Sequence, residues 1–312
     1  MEHYVTLFDS LFLPQGIALH RSMERCMLSF TLWILCVDDA VFVTLTKLDL
    51  PNVRLLKLSE LESKELVSVK SGRTKAEYCW TLTPFAPRFV FEADPLVHRV
   101  TYVDADIWFR RDPSPIFHEF DESGKHVLIT DHAYAPEYDQ SATSGQYCVQ
   151  FMIFTREKSE LVRGWWEDRC IEWCYRRLED GKFGDQKYLD DWPLRFSAHV
   201  HVLSKYEWTL APWNATRFPF SQGIFYHFHG VRLLRGHKID FGAIYSLPET
   251  LIENLYKPYA NDLIYSIKLL NIIGVNLIYQ GGKLNVYHLF RRFMGGLYHQ
   301  LWRFHYLNFR KY

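Results

Sequence analysis

The chain has 312 residues, of which 48% are hydrophobic and 17% aromatic, so it is not intrinsically disordered and can form a sizeable core. The 36 basic and 36 acidic side chains balance overall, but every acidic residue lies within residues 1–262, with 29 of the basic ones. Residues 1–262 therefore carry a net charge of −7, and residues 263–312 carry +7. This division indicates an acidic body with a basic appendage that is attracted to an anionic surface.

Cysteine usage and the N-terminal sequence bear on the compartment. The six cysteines show no disulfide-framework spacing, and Cys170 and Cys174, four residues apart on one side of an expected helix, are interpreted as buried core thiols. The first ten residues have neither a basic region nor a long apolar run, so we expect no signal peptide. A cytoplasmic protein is predicted, with peripheral attachment to the inner face of the cytoplasmic membrane through the basic appendage.

Strand-like and helix-like segments alternate along the chain. Apolar runs predict strands at residues 4–8, 31–37, 53–57, 97–103, 127–130 and 150–154. Apolar periodicity predicts helices at residues 14–28, 59–66 and 161–180. This alternation favours an α/β fold with a mostly parallel sheet that is covered by helices on both faces.

The C-terminal segment has a different texture. Residues 264–279 are apolar, but Lys268 interrupts them and they are too short to span a bilayer comfortably. Apolar residues then recur at steps of three and four over residues 286–304, with Arg and His between them. This pattern predicts a basic amphipathic helix in a membrane interface, and the alternative is a helix folded back on the body.

The most informative short segment is Asp104-Ala105-Asp106, which directly follows the predicted strand at residues 97–103. Two carboxylates separated by one residue bring hard oxygen ligands to one point, and Mg²⁺ and Mn²⁺ prefer such ligands. Ligands of open α/β sheets bind beyond the carboxyl ends of the strands, where this pair is expected. The sequence therefore predicts a divalent metal site here.

Two further polar signals follow along the chain. Asp185-Gln186 comes after Gly184, and the segment at residues 226–230 reads Tyr-His-Phe-His-Gly. Either histidine alone would more often be an ordinary core or surface residue than a metal ligand. The three signals support one another because they occur in one chain.

The order of a D-x-D after an apolar strand, a D-Q pair and a late H-x-x-G resembles metal-dependent GT-A glycosyltransferases. It is most similar to glycosyltransferase family 8 and to bacterial glycosyltransferases of surface-polysaccharide loci, over roughly residues 3–235. The resemblance implies a GT-A (Rossmann-like) α/β fold: a mixed, mostly parallel sheet flanked by helices, with a C-terminal helical appendage. We expect residues 1–246 to form the nucleotide-sugar-binding catalytic domain and residues 247–312 a basic aromatic helical tail.

By position, the resemblance implies that Asp104, Asp106 and His227 ligate Mn²⁺ or Mg²⁺, with His229 as the competing choice for the histidine. Arg232 or Arg235 would hold the diphosphate, although the K-P-W of the family is absent.

The resemblance also implies roles around the donor. Asp185 and Gln186 would lie beside the donor sugar and the reacting carbon. Phe8 and Asp9 would contact the nucleobase. The remaining donor contact is the basic pair Arg73 and Lys75, ahead of an expected helix at residues 77–83.

The sequence gives fewer signals for the acceptor site than for the donor site. Asp131, at the end of the predicted strand at residues 127–130, is the candidate general base if the reaction inverts configuration. Trp213 is expected either in a wall of the substrate site or as the anchor of a loop. One departure from the family concerns Cys148 and Gln150, which stand where the family has Asn and Gly.

The predicted function is metal-dependent, retaining transfer of a hexose from a nucleotide sugar, UDP-hexose, to a glycan or lipid-linked glycan, as in lipopolysaccharide or other polysaccharide biosynthesis. Nucleic acid is not an expected partner. The alternatives are a non-catalytic nucleotide-sugar-binding module and a metal-dependent nucleotidyltransferase or phosphohydrolase. Against the latter, the chain has no Gly-rich phosphate loop with Lys, and Trp108 stands where the phosphatase Asp-x-Asp-x-Thr requires Thr.

Overall fold

The computed structural model describes residues 1–235, 238–242, 245 and 247–279, and the backbone of residues 306–308. Within these ranges the strands are β1 (Glu2–Phe8), β2 (Phe30–Cys36), β3 (Val53–Lys57), β4 (Arg99–Val103), β5 (Ile107–Phe109), β6 (Val127–Asp131), β7 (Tyr147–Thr155), β8 (Val200–Val202), β9 (Thr209–Leu210), β10 (Phe225–His227), β11 (Arg232–Leu234), β12 (Lys238–Asp240) and β13 (Tyr306–Asn308).

The α-helices of the same ranges are α1 (Leu13–Cys26), α2 (Asp39–Leu48), α3 (Leu58–Leu61), α4 (Lys64–Lys70), α5 (Lys75–Leu82), α6 (Phe85–Ala93), α7 (Ser114–Ser123), α8 (Ser141–Ser144), α9 (Glu160–Glu172), α10 (Trp192–Arg195), α11 (Glu249–Leu251) and α12 (Lys257–Ile272). Short 3₁₀ helices occupy Pro136–Tyr138, Gln186–Asp191, Tyr206–Trp208 and Phe220–Gln222, and a π-helical turn, Ile252–Tyr256, joins α11 to α12.

The main sheet has seven strands in the order β3-β2-β1-β4-β7-β6-β8. All neighbouring pairs are parallel except those of β7, which runs antiparallel to β4 and to β6. Apolar clusters pack on both faces, because alternate residues of a strand point to opposite sides: Val5 belongs to one cluster and Tyr4 to the other. The predicted fold class, a mixed and mostly parallel sheet flanked by helices, is confirmed.

Side-chain caps define where several helices begin. Asp38 accepts a hydrogen bond from the Val41 amide at the start of α2, and Ser63 accepts one from Leu66 at the start of α4. Thr74 and Glu77 form a reciprocal capping box on α5. Each such cap satisfies amides that the helix leaves unpaired and contributes about 1 kcal/mol.

Two predicted helices differ from the observed ones by more than two residues at an end. The helix predicted at residues 161–180 ends at Glu172, because the Trp173 backbone is extended (φ −154°, ψ 124°). Cys174 therefore lies outside the helix that holds Cys170, although both are buried free thiols. The helix predicted at residues 59–66 is divided into α3 and α4, because the chain leaves the helix at Glu62 and Ser63 starts a new one.

A second, smaller sheet, in the order β5-β10-β9, lies where the chain leaves β4. In its antiparallel β5–β10 pairing, His227 stands opposite Ile107, the residue that follows Asp106. The pairing therefore brings the end of β10 next to the segment that leaves the carboxyl end of β4.

The described part of the C-terminal segment packs on the body. The helical run from α11 to α12 buries Leu251, Tyr259, Leu263 and Ile267, and α12 lies against α1. Asp262 of α12 accepts hydrogen bonds from Arg21 and Arg25 of α1 and from the Trp108 indole. The amphipathic helix predicted at residues 286–304 lies outside the described residues. Among those described, no helix has the length and apolar character needed to cross a bilayer.

Candidate active site

Asp104, Asp106 and His227 form a compact cluster in which one ligand atom from each lies within 4.8 Å of the others. The His227 Nε2 lies 3.1 Å from Oδ1 of Asp106 and 3.7 Å from Oδ2 of Asp104. Two carboxylate oxygens and one imidazole nitrogen suit Mn²⁺ or Mg²⁺, which also keep open positions for phosphate oxygens. The donor set therefore fits the divalent cation that the sequence predicts.

Backbone hydrogen bonds hold the two carboxylates in place. The Asp104 amide donates to the Gln150 carbonyl of β7 at 3.0 Å, and the Ile107 amide donates back to the Asp104 carbonyl at 3.2 Å. The Phe228 amide donates to the Asp106 carbonyl at 2.9 Å. The turn after β4 is thus tied to β7 on one side and to the segment after β10 on the other.

Three side chains support the cluster from behind. The Tyr102 hydroxyl donates to Oδ1 of Asp104 at 2.9 Å, and Nδ1 of His227 lies 2.9 Å from Oε1 of Gln150. The indole of Trp213 packs edge-on against the His227 ring, with centroids 5.3 Å apart. These contacts direct the other ring nitrogen of His227 toward the carboxylates.

The charges of the cluster are strongly coupled. Burial raises the pKa of Asp104 to about 6, against the lowering influence of His227. Burial alone would lower the pKa of His227, but the Asp106 carboxylate raises it well above its ordinary value. The imidazolium thus balances part of the carboxylate charge, and a divalent cation held by these residues would supply that balancing charge in place of the Nε2 proton.

His229 lies outside this cluster. Its side chain is exposed, its ring centroid is 5.9 Å from that of His227, and it packs against Trp213. Arg232 is exposed on β11, opposite Asp240 of β12.

Asp185 is almost fully buried, at 3% exposure, and its Oδ2 has no hydrogen-bond partner in the described structure. Burial, with the nearby Asp104 carboxylate, raises the pKa of Asp185 to about 7. Its backbone carbonyl accepts a hydrogen bond from the Trp166 indole at 2.8 Å. A buried carboxyl oxygen without a partner is rare in folded proteins and is available to a ligand.

Gln186 and Asp131 are linked through one segment, residues 141–146, which begins with α8. The side-chain Nε2 of Gln186 donates to the Ser144 carbonyl at 2.7 Å. Oδ2 of Asp131 accepts from the side-chain Nε2 of Gln146 at 3.0 Å, and its Oδ1 accepts from the Ala133 backbone amide. The segment therefore connects the carboxyl end of β6 to the residues that include Asp185 and Gln186.

The predicted donor-side residues at the carboxyl end of β1 and ahead of α5 are mostly packed into the protein. Phe8 is buried against Gly16 of α1, where an added Cβ would lie 2.3 Å from the ring. Asp9 is largely buried and accepts from the Leu11 amide. The Arg73 guanidinium is buried and donates to Thr81 and to a backbone carbonyl of α9, whereas Lys75 is exposed.

Neither the contact of Tyr102 with Asp104 nor that of Gln150 with His227 was predicted from the sequence. Tyr102 carried a signal, because residues two apart at a strand end point the same way, and it precedes Asp104 by two. Gln150 was noted only as a departure from the family, because its partner is distant in the chain.

The seven-stranded sheet, with a carboxylate–histidine cluster beyond its β4 strand, is the GT-A fold of glycosyltransferases. The galactosyltransferase LgtC, solved with donor and acceptor sugar analogues, superposes with a TM-score of 0.54 at 12% identity, over 84% of this chain and 95% of LgtC. At that identity the likeness establishes the fold. No protein-family model matches the chain.

Sequence comparison then gives the family. The chain is 30% identical to YfnF of Bacillus subtilis over 278 residues, which are 83% of this chain and 89% of YfnF. It is 31% identical to YfnD of the same organism over 265 residues, 78% of this chain and 83% of YfnD. The chain belongs to the family of these two proteins.

Proposed function

We propose that this protein is a metal-dependent glycosyltransferase that moves a hexose from a nucleotide sugar, UDP-hexose, to a glycan or lipid-linked glycan with retention of configuration. The observation that carries the proposal is the Asp104–Asp106–His227 cluster at the carboxyl end of β4 in a GT-A fold. Ligands of open α/β sheets bind at that edge. Both carboxylates are partly exposed, so a phosphate can reach a cation held between them.

The chemistry of glycosyl transfer explains why such a cluster is needed. The nucleoside diphosphate leaving group gains negative charge as the glycosidic bond breaks. A divalent cation, when bound, neutralises this charge where it develops. Asp104, Asp106 and His227 would hold that cation at one fixed point. Tyr102 and Gln150 hold two of these three side chains in place by hydrogen bonds.

Asp185 and Gln186 are proposed to bind the donor sugar. The Asp185 carboxyl, with its pKa near neutrality and an unpartnered oxygen, can accept or donate a hydrogen bond to a sugar hydroxyl. The hydrogen bond from Nε2 of Gln186 to the Ser144 carbonyl fixes the orientation of the Gln186 side-chain amide, next to Asp185. For the acceptor, Asp131 at the end of β6 is the proposed contact.

The test is a panel of nucleotide sugars with and without Mn²⁺, scored for release of the nucleoside diphosphate. Release from one donor, abolished by EDTA and in Asp106→Asn, is the expected result. The matched control is Asp168→Asn, an exposed carboxylate of α9, which should leave release unchanged. Release by wild type that is equal with EDTA and with Mn²⁺ would contradict metal dependence, and release of sugar 1-phosphate in place of the nucleoside diphosphate would indicate a nucleotidyltransferase or a phosphohydrolase.

The stereochemical part of the proposal has its own test. Once the donor is known, the anomeric configuration of the product is measured by ¹H NMR. An anomer identical to that of the donor supports retention. An inverted product would contradict it and would make Asp131 the general base, with Asp131→Asn then expected to lose transfer but to keep donor binding.

A further inference from the structure

Gln150 is buried in β7 directly behind the metal cluster. It is 0% exposed, and its backbone carbonyl accepts the Asp104 amide at 3.0 Å. Its side-chain Oε1 lies 2.9 Å from Nδ1 of His227. One residue thus contacts both a carboxylate segment and the histidine of the cluster.

The second amide atom of Gln150 shows what orients this side chain. Its Nε2 is buried and has no hydrogen-bond partner in the described structure. Leaving a buried donor unpaired costs about 1–3 kcal/mol. Packing alone gives no reason for that cost, whereas the hydrogen bond that Oε1 accepts from the His227 ring does.

Metal coordination sets a strict requirement on the partner of His227. Nε2 of His227 faces the carboxylates, 3.1 Å from Asp106. A neutral imidazole that ligates a cation through Nε2 carries its one proton on Nδ1. The group facing Nδ1 must therefore be a hydrogen-bond acceptor, and the Gln150 carbonyl oxygen is one.

We propose that Gln150 is a positioning residue of the metal site: it holds the His227 ring in the Nδ1–H tautomer and presents Nε2 to the cation. The proposal rests on the metal site of the proposed function. Because the Gln150 amide is neutral, it adds no third negative charge beside the two carboxylates. Such supporting partners of metal-bound histidines fix both the tautomer and the ring orientation, and their loss lowers metal affinity about 10–100-fold.

The first experiment measures Mn²⁺ binding by electron paramagnetic resonance titration, with and without UDP. Gln150→Leu removes the acceptor and is expected to weaken Mn²⁺ binding about 10–100-fold. Gln150→Glu keeps an acceptor at the same reach and is expected to bind within a few-fold of wild type. Met152→Leu, a swap at another buried position of β7, is the packing control and should bind as wild type does.

The second experiment does not depend on any variant of Gln150. The ring ¹⁵N signals of His227 are recorded in wild type with Mg²⁺ and assigned by their loss in His227→Asn. A proton on Nδ1 and none on Nε2 is the expected tautomer. A ring protonated on Nε2 would overturn the assignment of Gln150, even if Gln150→Leu failed to fold.

The outcomes separate this proposal from the one it rests on. Gln150→Leu binding Mn²⁺ as tightly as wild type, or Gln150→Glu binding as weakly as Gln150→Leu, would overturn the role of Gln150 while leaving the metal site standing. Wild type that binds no Mn²⁺ with or without UDP would overturn the metal site itself, and Gln150 with it.

Discussion

The Nε2 atom of His227 lies 3.1 Å from Oδ1 of Asp106, although the two residues belong to distant parts of the chain. Pairing of β10 with β5 creates this contact by placing His227 opposite Ile107. The carboxylates come from the turn after β4 of the main sheet, and the imidazole comes from β10 of the smaller sheet. The carboxylate–histidine cluster therefore lies at the junction between the two sheets.

The first prediction distinguishes the two histidines of the His-Phe-His-Gly segment. His227→Gln should weaken Mn²⁺ binding and metal-dependent donor release by about tenfold or more, because it removes the only nitrogen of the described cluster. His229→Gln, at the exposed neighbour, is the matched control and should bind Mn²⁺ as wild type does. The reverse pattern would assign the metal to His229.

The second prediction concerns the pH dependence of stability in EDTA. The pKa of Asp185 is raised from 3.8 to about 7, so between these values the folded protein holds a proton that the unfolded chain has lost. The contribution of Asp185 to the free energy of unfolding therefore falls as pH rises from about 4 to about 7. Asp185→Asn removes this loss. The free energy of unfolding of the variant minus that of wild type should therefore increase by more than about 1 kcal/mol between pH 4 and pH 7.

Urea unfolding at several pH values measures this difference. Asp168→Asn, at an exposed carboxylate of α9, is the control for the loss of one negative charge. A difference between Asp185→Asn and wild type that stays constant from pH 4 to pH 7 would contradict the raised pKa.

The third prediction tests how α12 is held on α1. Asp262 is largely buried and accepts from Arg25 at 2.6 Å, from Arg21 at 2.8 Å and from the Trp108 indole at 2.7 Å. Asp262→Ala should lower the free energy of unfolding by about 2 kcal/mol, chiefly because the indole loses its acceptor, while the half-exposed arginines can still reach water.

The comparison is Glu253→Ala, which removes an exposed ion pair with Lys257 on the same helical segment. We expect a change within about 0.5 kcal/mol for that variant. Equal losses of unfolding free energy in the two variants, measured by urea unfolding, would show that the Asp262 contacts do not stabilise the packing of α12 on α1.

The fourth prediction concerns the proposed attachment to a membrane. Replacing Arg291, Arg292 and Arg303 by Gln should weaken binding to anionic liposomes by about 1 kcal/mol per charge at low salt. Donor hydrolysis should stay unchanged, because the variant keeps Asp104, Asp106 and His227. This variant is preferable to deletion of residues 283–312, which would also remove β13, the partner of β12.

Co-sedimentation with liposomes of neutral and of anionic lipid provides the measurement. Wild type should bind the anionic vesicles and release them as salt rises, since screening weakens such attraction. Equal binding of wild type and the triple variant would rule out the basic tail as the attachment surface.

Much of the fold was predictable because strand and helix signals are local. The predicted strand at residues 53–57 matches β3, and those at residues 4–8, 31–37 and 127–130 match β1, β2 and β6 within two residues. Ends that depend on tertiary contacts were predicted less well. The helix predicted at residues 161–180 was wrong beyond Glu172, because the extended backbone of Trp173 ends the helix there.

By itself, the sequence determined an α/β sheet and the position of Asp104 and Asp106 at the end of a strand, because apolar periodicity and a D-x-D are properties of neighbouring residues. Only the tertiary structure decided that His227, and not His229, joins them, and that Gln150 faces the far side of its ring. It also decided that Phe8 and Arg73 are packed inside. The physical reason is that these contacts depend on strand pairing and on packing between distant segments. The spacing of residues along the chain does not determine which distant segments come together.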